Sequence, residues 1–341
     1  MTCLLRFPVV LLVWACAGDA GSRSDASSFV YVSNEDSNDI SVIDTRLDRV
    51  VATIPVGKRP RGILVSPDGR TVYVALSGSP KAPPGIDEST LPPADKAADA
   101  IAAIDVDTRE VRARYAGGSD PEAFAIAPDN RMLFVSNEDV GLASALNVES
   151  GEVTYQLPVG EEPEGVGITP NGHFVYVTAE ETNEVSVIDV ERREVVKRIP
   201  TGKRPRAVAF TPDGRKGYIS EELGGTVAVV DAVRHSVLET IRIPGEGAKP
   251  MGVDITPDGR LALVTTGRGG TLAFIDVAAD SVIAVIPVGT RPWGVTIVKD
   301  GTKAYTANGP SNDVSVVDIA TRRVIKRIPV GKVPWGVASP R

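Results

Sequence analysis

A short proline motif returns seven times along this chain, and its spacing constrains the fold more than any other feature. It reads Pro60-Arg61-Gly62, Pro121-Glu122-Ala123, Pro163-Glu164-Gly165, Pro205-Arg206-Ala207, Pro250-Met251-Gly252, Pro292-Trp293-Gly294 and Pro334-Trp335-Gly336. The prolines lie 61, 42, 42, 45, 42 and 42 residues apart. Asp or Asn stands sixteen residues before six of them: Asp44, Asp105, Asn147, Asp189, Asp276 and Asp318. Asp231 takes that part before Pro250. Eight residues after come Asp68, Asp129, Asn171, Asp213, Asp258 and Asp300, mostly in Pro-Asp-Gly turns. Independent markers held in one register mean a true structural repeat.

Within a unit the period is two. Val72-Tyr73-Val74, Ile101 to Ile104 and Val111 to Tyr115 are short β-branched or alternating runs bounded by turn residues. In a Pro-Asp-Gly turn Pro presets φ, Asp bonds nearby backbone and Gly accepts positive φ. No segment sustains a 3.6 period. The expectation is an all-β chain: a seven-bladed β-propeller of four-stranded antiparallel blades. The chain stops at Ser339-Pro340-Arg341, about where another such turn would begin, and Phe29-Val30-Tyr31-Val32 matches Thr71-Val72-Tyr73-Val74. The C-terminal segment is therefore expected to supply the innermost strand of the closing blade, and residues 29–56 the other three. The recurring Asp of Val42-Ile43-Asp44 reads as a turn cap.

Residues 1–17 read as an export signal, with Arg6 before an apolar run from Phe7 to Ala15 that is too short to span a bilayer. Cleavage after Ala17 fits Ala15 and Ala17 as the small residues. The alternative is Val13-Trp14-Ala15-Cys16 as a lipobox, with lipid on Cys16. Residues 18–28 form a polar tether, so the expected location is periplasmic or extracellular, with or without a lipid anchor. Net charge is −7, which disfavours nucleic acid as main partner. Two His and two Cys leave little for a His- or Cys-rich metal site. No cofactor is expected, apart from Ca²⁺ as a candidate.

The segments Tyr31-Val32-Ser33-Asn34, Phe134-Val135-Ser136-Asn137, Tyr176-Val177-Thr178-Ala179 and Tyr305-Thr306-Ala307-Asn308 resemble the YVTN-type β-propeller repeat over residues 29–341. The order of Asn34-Glu35-Asp36, the run 58–62, Asp120-Pro121-Glu122, the run 162–165, Arg204-Pro205-Arg206, the run 309–313 and Pro334-Trp335-Gly336 is similar to the propeller proteins associated with pyrroloquinoline-quinone-dependent catabolism. That resemblance implies export and a supporting role near quinoprotein oxidation, with a quinoprotein dehydrogenase or cytochrome as partner, and no possession of the quinone. It brings no catalytic residues. The insertion at 78–98, rich in Pro, Ala and Asp, departs from the pattern and reads as a flap over the same face. A three-residue excess at 245–249 falls there too.

In a repeat protein the recurring residues specify the fold, and function sits where the repeat is broken. The residue after each proline should ring one mouth of the central channel: Trp335, Arg61, Glu122, Glu164, Arg206, Met251 and Trp293. Arg59, Asp120, Glu162, Arg204, Lys249 and Arg291 precede the prolines and extend the theme. Loops on that face add Asn34, Glu35, Asn137, Glu138, Glu180, Glu181, Glu221, Glu222 and Asn308. The ring reads either as self-neutralising surface salt bridges or as a recognition site for a partner protein or a small polar-aromatic ligand. The acidic loops would suit a cation, an amine or Ca²⁺. The rival is a hydrolase, lactonase or lyase using carboxylates or Ca²⁺ at the same mouth. Against it, nearby arginines are expected to hold those carboxyls at low pKa. His173 and His235 fall in turns on the opposite face and read as plain surface.

Overall fold

The computed structural model describes residues 28–81 and 90–341. The whole export segment, with Cys16, nearly all of the tether and the centre of the 78–98 insertion lie outside the described residues. Among those described, seven four-stranded antiparallel sheets form a closed ring. Six blades begin at the inner strand with the proline motif: Pro60–Val65 in blade 2, Pro121–Ile126 in blade 3, Pro163–Ile168 in blade 4, Pro205–Phe210 in blade 5, Pro250–Ile255 in blade 6 and Pro292–Ile297 in blade 7. Blade 1 takes its inner strand, Pro334–Ala338, from the C-terminal segment. Its other strands are Phe29–Asn34, Asp39–Asp44 and Arg49–Pro55. Tyr31 pairs with Ala338 and Val32 with Val337.

Each middle strand is apolar on both faces, because each sheet is packed between two others. Tyr31, Ile40 and Val42 face blade 2, against Val72, Val74, Ala102 and Ile104. Their chain neighbours Val30, Val32 and Ile43 face blade 7, against Tyr305, Val314 and Val316. Among the described residues seven such inter-blade clusters make up the core. The turns follow the sequence: Asp44 Oδ1 accepts the Arg46 and Leu47 N–H at 2.8 and 3.2 Å, and Asp318 Oδ1 accepts that of Thr321 at 2.7 Å.

Polar latches join the blades on the face opposite the proline crossings. Tyr305 of blade 7 donates to Asp48 of blade 1 at 2.6 Å, and Lys303 meets the same carboxylate at 2.8 Å. Tyr218 and Lys216 of blade 5 both reach Asp280 of blade 6. Between blades 4 and 5 the corresponding residue is His235. Its Nδ1 lies 2.6 Å from the Tyr176 hydroxyl, and its ring packs 4.5 Å from that of Phe174. The expectation of a plain surface histidine is therefore corrected: the turn places it under the neighbouring blade. His173 is exposed.

Two predictions follow from closure and latch. Deleting residues 333–341 removes ladder hydrogen bonds and opens two inter-blade clusters, at a cost well over about 3 kcal/mol. Thermal unfolding measures it, and an unchanged melting temperature would contradict closure by this strand. Burial lowers the His235 pKa, so the folded protein resists taking up that proton. The latch is fully effective above the ordinary histidine pKa and weakens as pH falls below it. His235→Asp, which copies Asp48 and Asp280, is expected to flatten the decline in melting temperature between about pH 7 and 5.

Candidate functional site at the channel mouth

The mouth side chains are aimed by a bulge that recurs in every blade. Pro60 pairs with Leu76 but Ile63 with Val74, which leaves Arg61 and Gly62 out of register. The same slip falls at Pro121/Phe124, Pro163/Val166, Pro205/Val208, Pro250/Val253 and Pro292/Val295, and opposite Asn34 in blade 1. A bulge leaves a residue unpaired and re-aims its side chain. A hydroxyl from the second strand fills the gap. Ser136 Oγ accepts the Ala123 N–H at 3.1 Å and donates across the blade gap to the Glu164 carbonyl at 2.6 Å. Thr178 does the same between Gly165 and Arg206, and Ser33 between Gly336 and Arg61. The inner strands pass very close here: a Cβ on Gly165 would lie 2.0 Å from the Arg206 carbonyl oxygen. The residue before the proline is left-handed in six blades, with φ of 41° at Arg59, 59° at Arg204 and 51° even at β-branched Val333. Asn side chains hold some of these turns, as Asn183 accepts the Arg204 N–H at 2.8 Å and Asn312 that of Val333 at 2.8 Å. Backbone in such rarely populated regions concentrates at functional sites.

Arg61 is the hub of the acidic half. It contacts Glu122, lies 3.1 Å from Glu138 and 4.0 Å from Asp120, and its guanidinium carbon sits 5.7 Å from the Trp335 ring centroid. Arg206 is 2.9 Å from Glu164, contacts Glu180 and lies 3.9 Å from Glu222. Arg204 contacts Glu180 and lies 3.6 Å from Glu222, while Arg59 is 3.0 Å from Glu35. On the other side Trp293 and Trp335 meet edge to face at 5.7 Å, and Arg291 stacks on Trp293 at 5.2 Å. Met251, buried, completes the ring.

These pairs are not surface salt bridges. Arg61 is 8% exposed, Glu122 0%, Glu164 4% and Glu180 3%. Burial reverses the expected pKa direction. The Glu122 carboxyl is pushed well above the ordinary carboxylate range, first by desolvation and then by Glu164, Glu138 and Asp120, which together outweigh the one guanidinium they share. Glu138 is raised for the same reasons. Several polar atoms at this mouth are buried without a hydrogen-bond partner: Arg61 Nε, Glu122 Oε1, Trp293 Nε1 and Trp335 Nε1.

Four expected site residues face inward instead. Asn34 donates to Asp39 and Ser41, Asn308 to Asp313 and Ser315, and Asn137 to the Gly117 carbonyl. Glu221 accepts from the Gly202 N–H and the Thr226 hydroxyl. All four end a second strand: Asn34, Asn308 and Glu221 reach the third strand of their own blade, and Asn137 and Glu221 hold the crossing that leads into that blade. In four blades the residue after the second strand carries a mouth carboxyl: Glu35 in blade 1, Glu138 in blade 3, Glu180 in blade 4 and Glu222 in blade 5. The sequence offers both Glu221 and Glu222 for the rim, and of the two it is Glu222 that reaches the mouth arginines. The roots of the 78–98 insertion lie on this rim. Lys81 is 2.7 Å from Glu35 in blade 1, and Lys96 contacts Asp139 in blade 3. Among the described residues no group of three or more His, Cys, Asp or Glu is placed to hold a metal ion. A surface depression of about 540 Å³ lies between outer strands around Leu157 and Arg198, and one of about 410 Å³ lies beside the root of the 78–98 insertion, around Lys58, Ala98 and Arg114.

Comparison with known proteins supports the architecture. A YNCE-like beta-propeller family matches residues 87–214, and a lactonase family described as a 7-bladed beta-propeller matches 166–328. The chain is a β-propeller. It is 31% identical over 108 residues to Antigen Lp49 of Leptospira interrogans, a match that spans 32% of this chain and 23% of that protein. Among solved structures it is similar to Kuenenia stuttgartiensis hydrazine synthase, at TM-score 0.74 and 19% identity, covering 86% of this chain and 93% of that one. A functionally unknown protein from Desulfotomaculum acetoxidans gives 0.76 at 16% identity, covering 92% and 99%. Dihydro-heme d1 dehydrogenase NirN in complex with DHE gives 0.65 at 16% identity, covering 92% and 75%. At such identities the likeness is one of fold.

Replacing Glu122 tests the burial argument. With its folded pKa raised, its contribution to stability is complete below about 4.5 and is lost as pH rises toward the folded pKa. Glu122→Gln keeps the shape without the ionisation. Denaturant unfolding is expected to show the variant gaining on wild type with rising pH, by about 1.4 kcal/mol per unit while the folded carboxyl stays protonated. A variant that loses ground as pH rises would mean that the Arg61 ion pair dominates.

Proposed function

We propose that the protein is a non-catalytic binding propeller that recognises a small polar-aromatic ligand, or a partner's side chain, at this mouth. One observation carries it: donors and an acceptor with no hydrogen-bond partner are buried together at the positions where the sevenfold repeat is broken. Leaving such a group unpaired costs about 1–3 kcal/mol, which the polar atoms of a bound molecule would recover. The indoles supply contact area and the charged groups orientation. Export, and service to a quinoprotein dehydrogenase or cytochrome, rest on the sequence resemblance and the leader-like residues 1–17. Lipid attachment at Cys16 belongs to the same proposal.

Intrinsic fluorescence tests it. Of three tryptophans, Trp14 is replaced by Phe, so that emission comes from Trp293 and Trp335 alone. Titration with quinones, aromatic acids and amino acids is expected to find a saturable shift that Arg61→Met weakens at least about tenfold. No shift with any of them would remove small-ligand recognition at the mouth.

A second reading, lactone or ester hydrolysis at the same mouth, is favoured by the raised Glu122 pKa, which suits a general acid, and by the lactonase match over 166–328. Turnover of a lactone that Glu122→Gln abolishes would support it.

A further inference from the structure

The unpartnered groups at the mouth are sorted by chemistry around the ring. Blades 7, 1 and 2 present three donors in succession: Trp293 Nε1, Trp335 Nε1 and Arg61 Nε. They form one continuous arc, with the two indoles 5.7 Å apart and the Arg61 guanidinium 5.7 Å from the second. Blade 3 follows with the acceptor, Glu122 Oε1, on a side chain that is 0% exposed, and with Glu138 beside it. Arg61 belongs to both arcs, since its Nη1 lies 3.1 Å from Glu138.

Neither simple ion satisfies this arrangement. An anion could accept from all three donors. It would then leave the buried Glu122 Oε1 without a donor, and it would sit among the carboxyls of Glu35, Asp120, Glu122, Glu138, Glu164, Glu180 and Glu222, seven groups against the six cations of Arg59, Arg61, Arg204, Arg206, Arg291 and Lys81. A cation would be welcome to the carboxyls but would leave three N–H groups unpaired. Trp335 and Trp293, where it would otherwise stack, already carry Arg61 and Arg291. A molecule with both charges meets both arcs.

Resting on the binding-site reading above, we infer that the mouth takes a small zwitterion, a short-chain amino acid, whose carboxylate accepts from Trp293, Trp335 and Arg61 and whose ammonium donates to Glu122 and Glu138. The arcs are separated by a single guanidinium, which suits one to three carbons between the charges. The carboxylate completes the buried donors, and the ammonium supplies the donor that Glu122 Oε1 lacks. Each half of the ligand thereby removes a penalty that the other half alone would leave.

The Trp14→Phe protein is titrated with glycine, β-alanine and γ-aminobutyrate, each beside its two halves: the matched fatty acid (acetate, propionate, butyrate) and the matched alkylammonium ion. At least one zwitterion is expected to shift the emission saturably and bind at least about tenfold more tightly than either half. The double variant Glu122→Gln, Glu138→Gln is expected to lower that affinity about tenfold while leaving the response to the matched fatty acid unchanged. A fatty acid or alkylammonium ion that binds as tightly as its zwitterion overturns the ligand class and leaves the mouth as a binding site. Silence from all nine probes overturns it too. The titrations with quinones and aromatic acids then decide separately whether the mouth binds anything.

Discussion

The constraint on which the rest of the structure depends is that every sheet has two apolar faces. A sheet with one wet face can end a stack, but these cannot. Tyr31 and Val32 are chain neighbours that point to opposite blades, and both are fully withdrawn from water. Such a sheet must be covered on both sides, and the arrangement that covers every sheet is a ring. Closure by the 334–338 strand is thus required by the same side chains that fill the blades, and it gives blade 1 the same four strands as the other six.

Ring closure sets the chemistry of the mouth. Seven inner strands converge there, each with a bulge that aims one side chain inward. In the symmetric positions around it small residues and hydroxyls simply fit the strands together. Where the repeat is broken, charged and aromatic groups are forced into a space that holds little water. Ion pairs in such a place cost more in desolvation than those on a surface, and their Coulomb attraction does not always repay it. Arg61 cannot serve Glu122, Glu138 and Asp120 equally, so burial wins at Glu122 and its carboxyl favours the neutral form. The indoles meet the same confinement: they find each other and two guanidiniums, while their N–H groups find nothing.

The fold was legible because it is written seven times. The spacing of the prolines fixed the number of blades, and the resemblance of residues 29–32 to 71–74 placed the seam. The ring order of Arg61, Glu122, Glu164, Arg206, Met251, Trp293 and Trp335 was also readable, since it follows from the strand order alone. Burial was not. Whether a glutamate beside an arginine is a surface pair or a buried one depends on how closely neighbouring inner strands pass, and the bulge and the Ser136-type hydroxyl bridges decide that without a distinctive motif. Glu221 and Glu222 look alike in the chain, but one position separates a loop clamp from a mouth carboxyl. The role of His235 is not written in its own turn, because its partner, Tyr176, lies 59 residues away in another blade.

The central claim is that the departures from symmetry meet at one place. The two indoles measure this directly, since rings 5.7 Å apart and nearly perpendicular must couple electronically. In the Trp14→Phe protein, far-ultraviolet circular dichroism is expected to show an exciton couplet in the strong indole band, abolished by either Trp293→Phe or Trp335→Phe alone. A spectrum in which each replacement removes only half of a simple additive signal would place the indoles apart and contradict the account.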